Sequence, residues 1–205
     1  MKIRLYWLPL LLAGLLTSAC APRAHMPTDS WQAMRQPDGS VLWLGEYRFV
    51  PPPLPWQVID LDENDLSLAL YRSCDVAEPG RFPCESTMAY AEEPFGYSRD
   101  FETRAQEFLK RYLWAARVNF SAPTLTPTTI NGREALVVRV MGKEPVKGHR
   151  LQAKIVFLHR GERIVAFFCN QWRDDDTPFS DTDFDDFDRF VASFQFLVPS
   201  FYETL

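Results

Sequence analysis

Histidine is scarce in this chain: His25, His149 and His159 are the only three in 205 residues. His149 and His159 flank a single strand-like segment, ten residues apart. An extended chain rises about 3.3 Å per residue, so these two stand roughly 30 Å apart and share neither a metal nor a proton relay. Glycine is sparse as well, at 9 residues, and no Gly-x-Ser-x-Gly elbow or phosphate-cradling loop is present. A His-Glu-x-x-His run is also missing. Acidic pairs such as Glu92-Glu93 occur, but nothing in the sequence sets them in a cleft. The expectation is a non-catalytic protein with no catalytic residue, no metal and no cofactor. Basic charge is lacking too. The net charge of −5 argues against a nucleic-acid partner, because such binders ordinarily present a basic surface. Beyond Leu16, charges interrupt every apolar run, so no later segment has the length of a membrane span.

The N-terminus is different. Lys2 and Arg4 make a positive start, Leu5 to Leu16 is an apolar run of twelve residues, and Thr17-Ser18-Ala19 leads to Cys20. As a helix, twelve residues rise about 18 Å, short of a hydrocarbon core of about 30 Å, which reads as a secretory signal and not a permanent span. Thr17-Ser18-Ala19-Cys20 resembles the lipobox of bacterial lipoproteins, in which a small residue precedes the cysteine that is acylated. Thr17 stands where Leu is favoured, and cleavage nearby by the general signal peptidase is the alternative. The resemblance implies a signal peptide over residues 1–19, palmitate-type lipid on Cys20, and a protein held at a membrane by more than one acyl chain. Ala21 follows the cysteine where an inner-membrane lipoprotein usually carries Asp. In a cell with two membranes this favours the outer one, with the domain facing the periplasm.

Removing the signal leaves 186 residues, enough for one domain with a sizeable core. Hydrophobic residues make up 46% and include 16 Phe and 6 Trp, which excludes a disordered chain. With Cys20 assigned to lipid, Cys74, Cys84 and Cys169 remain, in an oxidising compartment. Cys74 ends the strand-like run 67–73, and Cys84 opens the next, with the Pro- and Gly-rich Asp75 to Pro83 between them. Cysteines at the mouth of such a hairpin are candidates for a disulfide worth about 2–3 kcal/mol. Cys169, inside the apolar run 164–169, reads as a buried free thiol.

Residues 20–40 lack a period and read as the lipidated cysteine and a flexible tether, with a single domain over 41–205. Strand-like segments at 41–44 and 47–50 precede Pro51-Pro52-Pro53-Leu54-Pro55-Trp56. Phe101, Ala105, Phe108, Leu109, Tyr112, Leu113 and Ala116 recur at helical spacing behind an N-cap candidate, Asp100. Three β-rich runs follow, over 133–141, 149–159 and 162–172, joined by Asn131-Gly132 and Arg160-Gly161 turns and a charged loop. Val137, Val138 and Val140 with Ile155 to Leu158 put apolar side chains on both sheet faces, which demands cover on both. A second helix is expected over 181–192, with Phe184, Phe187, Phe190 and Val191 on one stripe, and a last strand at 193–196.

Three clusters invite functional readings. Asp181, Asp183 and Asp185 match the first ligand positions of an EF-hand loop. Asp186 and Ala192 then occupy the places of its Gly and bidentate Glu, so a solvated helix start is expected. Lys143 to Arg150 is a basic loop suited to an acidic partner or lipid headgroups, or simply to water. Trp43, Trp56, Trp114 and Trp172 are expected to pack in the core, with a recognition groove as the alternative.

The order of elements resembles the PsbP-like fold over residues 41–198. The pieces that carry the likeness are the aromatic–Pro–Trp segment Phe49 to Trp56, Ile130-Asn131-Gly132-Arg133-Glu134-Ala135, and Phe190-Val191-Ala192-Ser193-Phe194-Gln195-Phe196. That family includes an extrinsic photosystem subunit, a Ran-binding nuclear import factor and DcrB-type bacterial lipoproteins. The resemblance implies an α+β fold, an antiparallel β-sheet sandwiched between helices, and a scaffolding or binding role. The functional expectation is a lipid-anchored envelope protein with an accessory role beside another envelope protein. The alternative is a small-ligand binder with a cleft between sheet and helix.

Overall fold

The computed structural model describes residues 35–43, 46–62, 67–73, 85–94, 100–174 and 177–197. Cys20, Cys74 and Cys84 lie outside these residues. The elements are β1 (Val41–Trp43), β2 (Tyr47–Phe49), β3 (Gln57–Asp62), β4 (Ser67–Ser73), β5 (Glu85–Pro94) and α1 (Phe101–Ala116). They continue with β6 (Asn119–Phe120), β7 (Thr126–Ile130), β8 (Arg133–Lys143), β9 (Arg150–Arg160), β10 (Arg163–Arg173), α2 (Asp181–Ser193) and β11 (Gln195–Phe196).

The main sheet runs β3-β4-β5-β10-β9-β8-β6, with β7 pairing on β8 as well, and its pairs are antiparallel. Turn chemistry sets its register. Asn131 and Gly132 both take positive φ (52° and 75°), as a type I′ hairpin requires, and place Ile130 opposite Arg133. Gly161 (φ 56°) places Arg160 opposite Arg163. From Ala153 to Leu158 every residue of β9 is buried, because both faces of the sheet are covered.

One face takes α1. The Asp100 carboxylate accepts the Thr103 backbone N–H at 2.9 Å and caps the helix. Ala105, Phe108, Leu109 and Tyr112 then bury against Leu136, Val138, Ile155, Phe157, Ala166 and Phe168. The opposite face takes α2 and a small sheet, β1-β2-β11. Phe194 sits at the centre of that layer, 5.3 Å from Phe49, 5.1 Å from Tyr90 and 5.0 Å from Phe167 between ring centroids. The expected sandwich is thus the observed one: an α+β fold with helices on both sides of an antiparallel sheet.

Two expectations fail. Trp43 and Trp56 are buried, but Trp114 is 77% exposed, on the side of α1 away from the sheet. The start of α2 is not uniformly solvated either: Asp183 and Asp186 are buried, each held by partners from elsewhere in the chain.

Candidate functional site

Four buried or part-buried charge networks organise the sheet and its cover. The largest is centred on Glu92, whose side chain is fully buried on β5. It accepts the phenol protons of Tyr47 (2.9 Å) and Tyr90. It also pairs with Arg160 (3.3 Å) and Arg163. Arg160 donates in addition to the Tyr47 hydroxyl and to Glu46 (3.0 Å). Burial, reinforced by the Glu92 charge, pushes the Tyr47 phenol up to about 12 and Tyr90 well above its ordinary value. These groups join the small sheet to one end of the large one.

At the other end, Arg173 on β10 is 1% exposed. It donates to Asp183 (3.4 Å), Ser86 (3.1 Å), Gln171 (3.0 Å) and the carbonyls of Glu85 (2.7 Å) and Pro178 (3.2 Å). The Gln171 side-chain amide donates to the Ser180 carbonyl and accepts the Ser180 N–H, both at 2.7 Å, fixing the start of α2. Further along α2, Asp186 accepts the Trp56 indole N–H at 3.0 Å and pairs with Arg189 at 2.5 Å. Asp188 pairs with the mostly buried Lys154 at 2.5 Å. All four are internal ties between layers, so their charges are spent on holding the fold. Cys169 is buried and free, with its thiol 3.9 Å from the Asp183 carbonyl. Burial pushes that thiol well above its ordinary value, which leaves it unreactive. Among the described residues, no group of three His, Cys, Asp or Glu side chains is placed to hold a metal.

Two open clefts adjoin the helices, one between α2 and the sheet and one between α1 and the segment after β6. The smaller, about 240 Å³, sits beside α2 between Ile130, Val137, Val156 and Val191, with the Lys154–Asp188 pair at its edge. The larger, about 370 Å³, runs along α1. Leu109 and Leu113 of α1 face Pro123 and Leu125 across it, and Glu102, Gln106, Lys110 and Thr124 supply its polar lining. Residues 121–125 connect β6 to β7 and form the far wall. β7 itself is a sheet edge: it pairs with β8 on one side and with no other described strand. An apolar lining flanked by polar side chains, beside a sheet edge, suits an extended or helical segment of another protein. We take this α1 groove as the candidate site. The sequence showed the α1 stripe, but the groove needs Pro123 and Leu125, which lie in a stretch with no period.

No family model matches the sequence, and no curated protein matches it. Solved structures do. The Ran-binding protein Mog1p of Saccharomyces cerevisiae superposes with a TM-score of 0.52 at 9% identity, covering 77% of this chain and 94% of that one. A Mog1 mutant protein superposes at 0.54 and 10% identity, covering 80% and 97%. LpqN, involved in cell envelope biogenesis of Mycobacterium tuberculosis, gives 0.47 at 14% identity, covering 74% and 83%. At these identities the Mog1 likeness shows the fold: this chain is an α+β sandwich of the Mog1 type.

Proposed function

We propose that this protein is a lipid-anchored accessory protein of the bacterial envelope, held by Cys20 and docking a partner protein in the groove along α1. The observation that carries the docking role is the groove itself, with Leu109, Leu113, Pro123 and Leu125 as its apolar lining beside the β7 edge. The anchor is supported by Lys2 and Arg4, the apolar run to Leu16 and the small residues before Cys20. Ala21 favours the outer membrane, facing the periplasm, in a cell that has two. The fold supports the same reading, since Mog1p is a binding protein by its own description.

In-cell photo-crosslinking from position 113 tests it, with a Cys20→Ser copy alongside. A defined envelope protein captured from position 113, and lost or reduced in the Cys20→Ser copy, is the expected result. Crosslinks no different from those of an exposed position remote from the groove, such as 185, would overturn the docking site.

A second reading, a small hydrophobic or peptidic ligand in the same groove, is favoured by its volume. Ligand clefts begin at about 300 Å³, and this one holds about 370 Å³. Native mass spectrometry of protein from its own host separates the two, because a retained ligand adds mass.

A further inference from the structure

We infer that a second surface, the end of the molecule built by the C-terminal half of α1 and the β8–β9 loop, rests on anionic phospholipid headgroups. Residues 108–119 and 141–150 carry six cations, Lys110, Arg111, Arg117, Lys143, Lys147 and Arg150, against one acid, Glu144. The whole chain has a net charge of −5, so this is a basic end on an acidic protein.

The fold joins the two segments. Asn119 lies opposite Lys143 and Phe120 opposite Gly142. The Ser121 N–H donates to the Met141 carbonyl at 3.0 Å. Glu144 is turned onto its own loop, where its carboxylate accepts the backbone N–H groups of Val146 (3.0 Å) and Lys147. Arg111 pairs with Glu93, and Arg150 donates to the carbonyls of Asp174 and Thr177. Lys110, Arg117 and Lys147 are exposed and carry the argument.

Of the exposed apolar side chains on these two segments, Met141 (51%) included, Trp114 (77%) and Val146 (86%) stand out furthest. They stand on separate projections, a helix face and a loop tip. A protein partner would ordinarily gather such anchors in one desolvated patch. A bilayer surface takes them separately, seating Trp at headgroup level while Lys and Arg reach the phosphates. Charge complementarity and this spacing select a lipid surface over an acidic protein.

The inference rests on the proposed Cys20 anchor only for bringing the domain to a bilayer. The test keeps the two apart. The exported chain carrying Cys20→Ser is floated with vesicles of phosphatidylcholine alone, or of phosphatidylcholine with phosphatidylglycerol, at low and high salt. Flotation with the anionic vesicles only, reversed by salt, is the expected result. A Lys110→Glu, Arg117→Glu, Lys147→Glu triple variant should lose about 100-fold or more of that binding. Trp114→Ala should lose about tenfold, with the circular dichroism of both variants unchanged. Equal flotation on both vesicle types, or a triple variant that floats like its parent, overturns the inference. So does a basic end that crosslinks to an acidic protein while the parent never floats. Failure of the anchor has a different signature: Cys20 and Cys20→Ser forms that partition alike onto neutral vesicles.

Discussion

Tyr47, on the three-stranded sheet, donates its phenolic proton to Glu92, on the large sheet, at 2.9 Å across 45 residues of sequence. Glu92 is also the counter-charge for Arg160 and Arg163. Removing the carboxylate leaves the buried Arg160 with only the half-exposed Glu46 as counter-charge, and takes the acceptor from two phenols. Glu92→Ala should therefore cost about 3–5 kcal/mol, the range for breaking a buried pair from one side. Tyr47→Phe, which removes the hydrogen bond donated to Glu92 and the one accepted from Arg160, should cost about 1.5–3 kcal/mol. Urea unfolding of the two variants measures both. A Glu92→Ala midpoint equal to that of Tyr47→Phe would show that the carboxylate does not organise this end of the fold.

The same network sets a response to alkali. The Tyr47 phenol is raised from 10.0 to about 12 by burial and by Glu92. Tyr90 is also raised well above its ordinary value, by burial first and then by Glu92. In the unfolded chain both lose their protons near their ordinary value. The folded chain then binds more protons than the unfolded one, so stability is full below about pH 10 and falls as the pH rises toward 12. Denaturant midpoints across that window should drop in the parent and drop less steeply in Tyr47→Phe. A flat profile through pH 12 in the parent would contradict this.

Much of the fold was legible because it rests on local periodicity. The α1 stripe from Phe101 to Ala116, the Asn131-Gly132 and Arg160-Gly161 turns and the doubly buried β9 all follow from spacing within a dozen residues. The missed features depend on distant partners. β7 has four exposed residues of five, Pro127 among them, so it has no strand signature, yet an edge strand tolerates a residue that cannot donate. Acids favour helix starts, which predicts a solvated Asp183. Its spacing to Phe187 and Phe190, four and seven residues on, places it on the buried stripe, and that spacing was available in the sequence. Its partner Arg173 was not, since a strand arginine gives no sign of turning inward. Trp114 lies two residues past Tyr112, off the apolar stripe, and its exposure follows from that spacing.

Arg173 and Asp183 form a pair whose value lies in each other. The side chains are 1% and 3% exposed and meet at 3.4 Å. Arg173→Met strands the Asp183 charge and the carbonyls of Glu85 and Pro178, at a cost of about 3–5 kcal/mol. Arg173→Met with Asp183→Leu removes both charges and should recover most of that loss. A double variant as unstable as the arginine variant alone would mean that the carbonyl contacts, not the ion pair, are what Arg173 supplies.

Gly142 on β8 lies where the segment that follows α1 passes close over the sheet. A Cβ built there would lie 2.5 Å from the Val118 side chain and 2.6 Å from the Asn119 carbonyl oxygen. The oxygen belongs to the backbone of β6, which is paired to β8 at this point and cannot turn aside. Gly142→Ala should destabilise by about 1–3 kcal/mol, the usual range for overpacking. Hydrogen exchange should quicken first at the Ser121 N–H, which bonds the Met141 carbonyl. Unchanged stability would show that β6 peels away from β8 at little cost.

The register of β4 and β5 bears on the two cysteines that adjoin them. The strands pair from Leu68 opposite Tyr90 to Ser73 opposite Glu85. Cys74 follows the first of this last pair and Cys84 precedes the second. Chain segments that leave adjacent ladder positions are near the Cα separation a disulfide needs, about 5.5 Å. We therefore propose a Cys74–Cys84 disulfide, closing a short loop and adding about 2–3 kcal/mol to stability. Alkylation of the denatured, lipidated protein, followed by mass analysis, reads it directly. One thiol, Cys169, should react before reduction and three after it. In the native protein even Cys169 should resist the reagent, because it is fully buried. Three reactive thiols before reduction would remove the disulfide, while the Ser73–Glu85 pairing would stand.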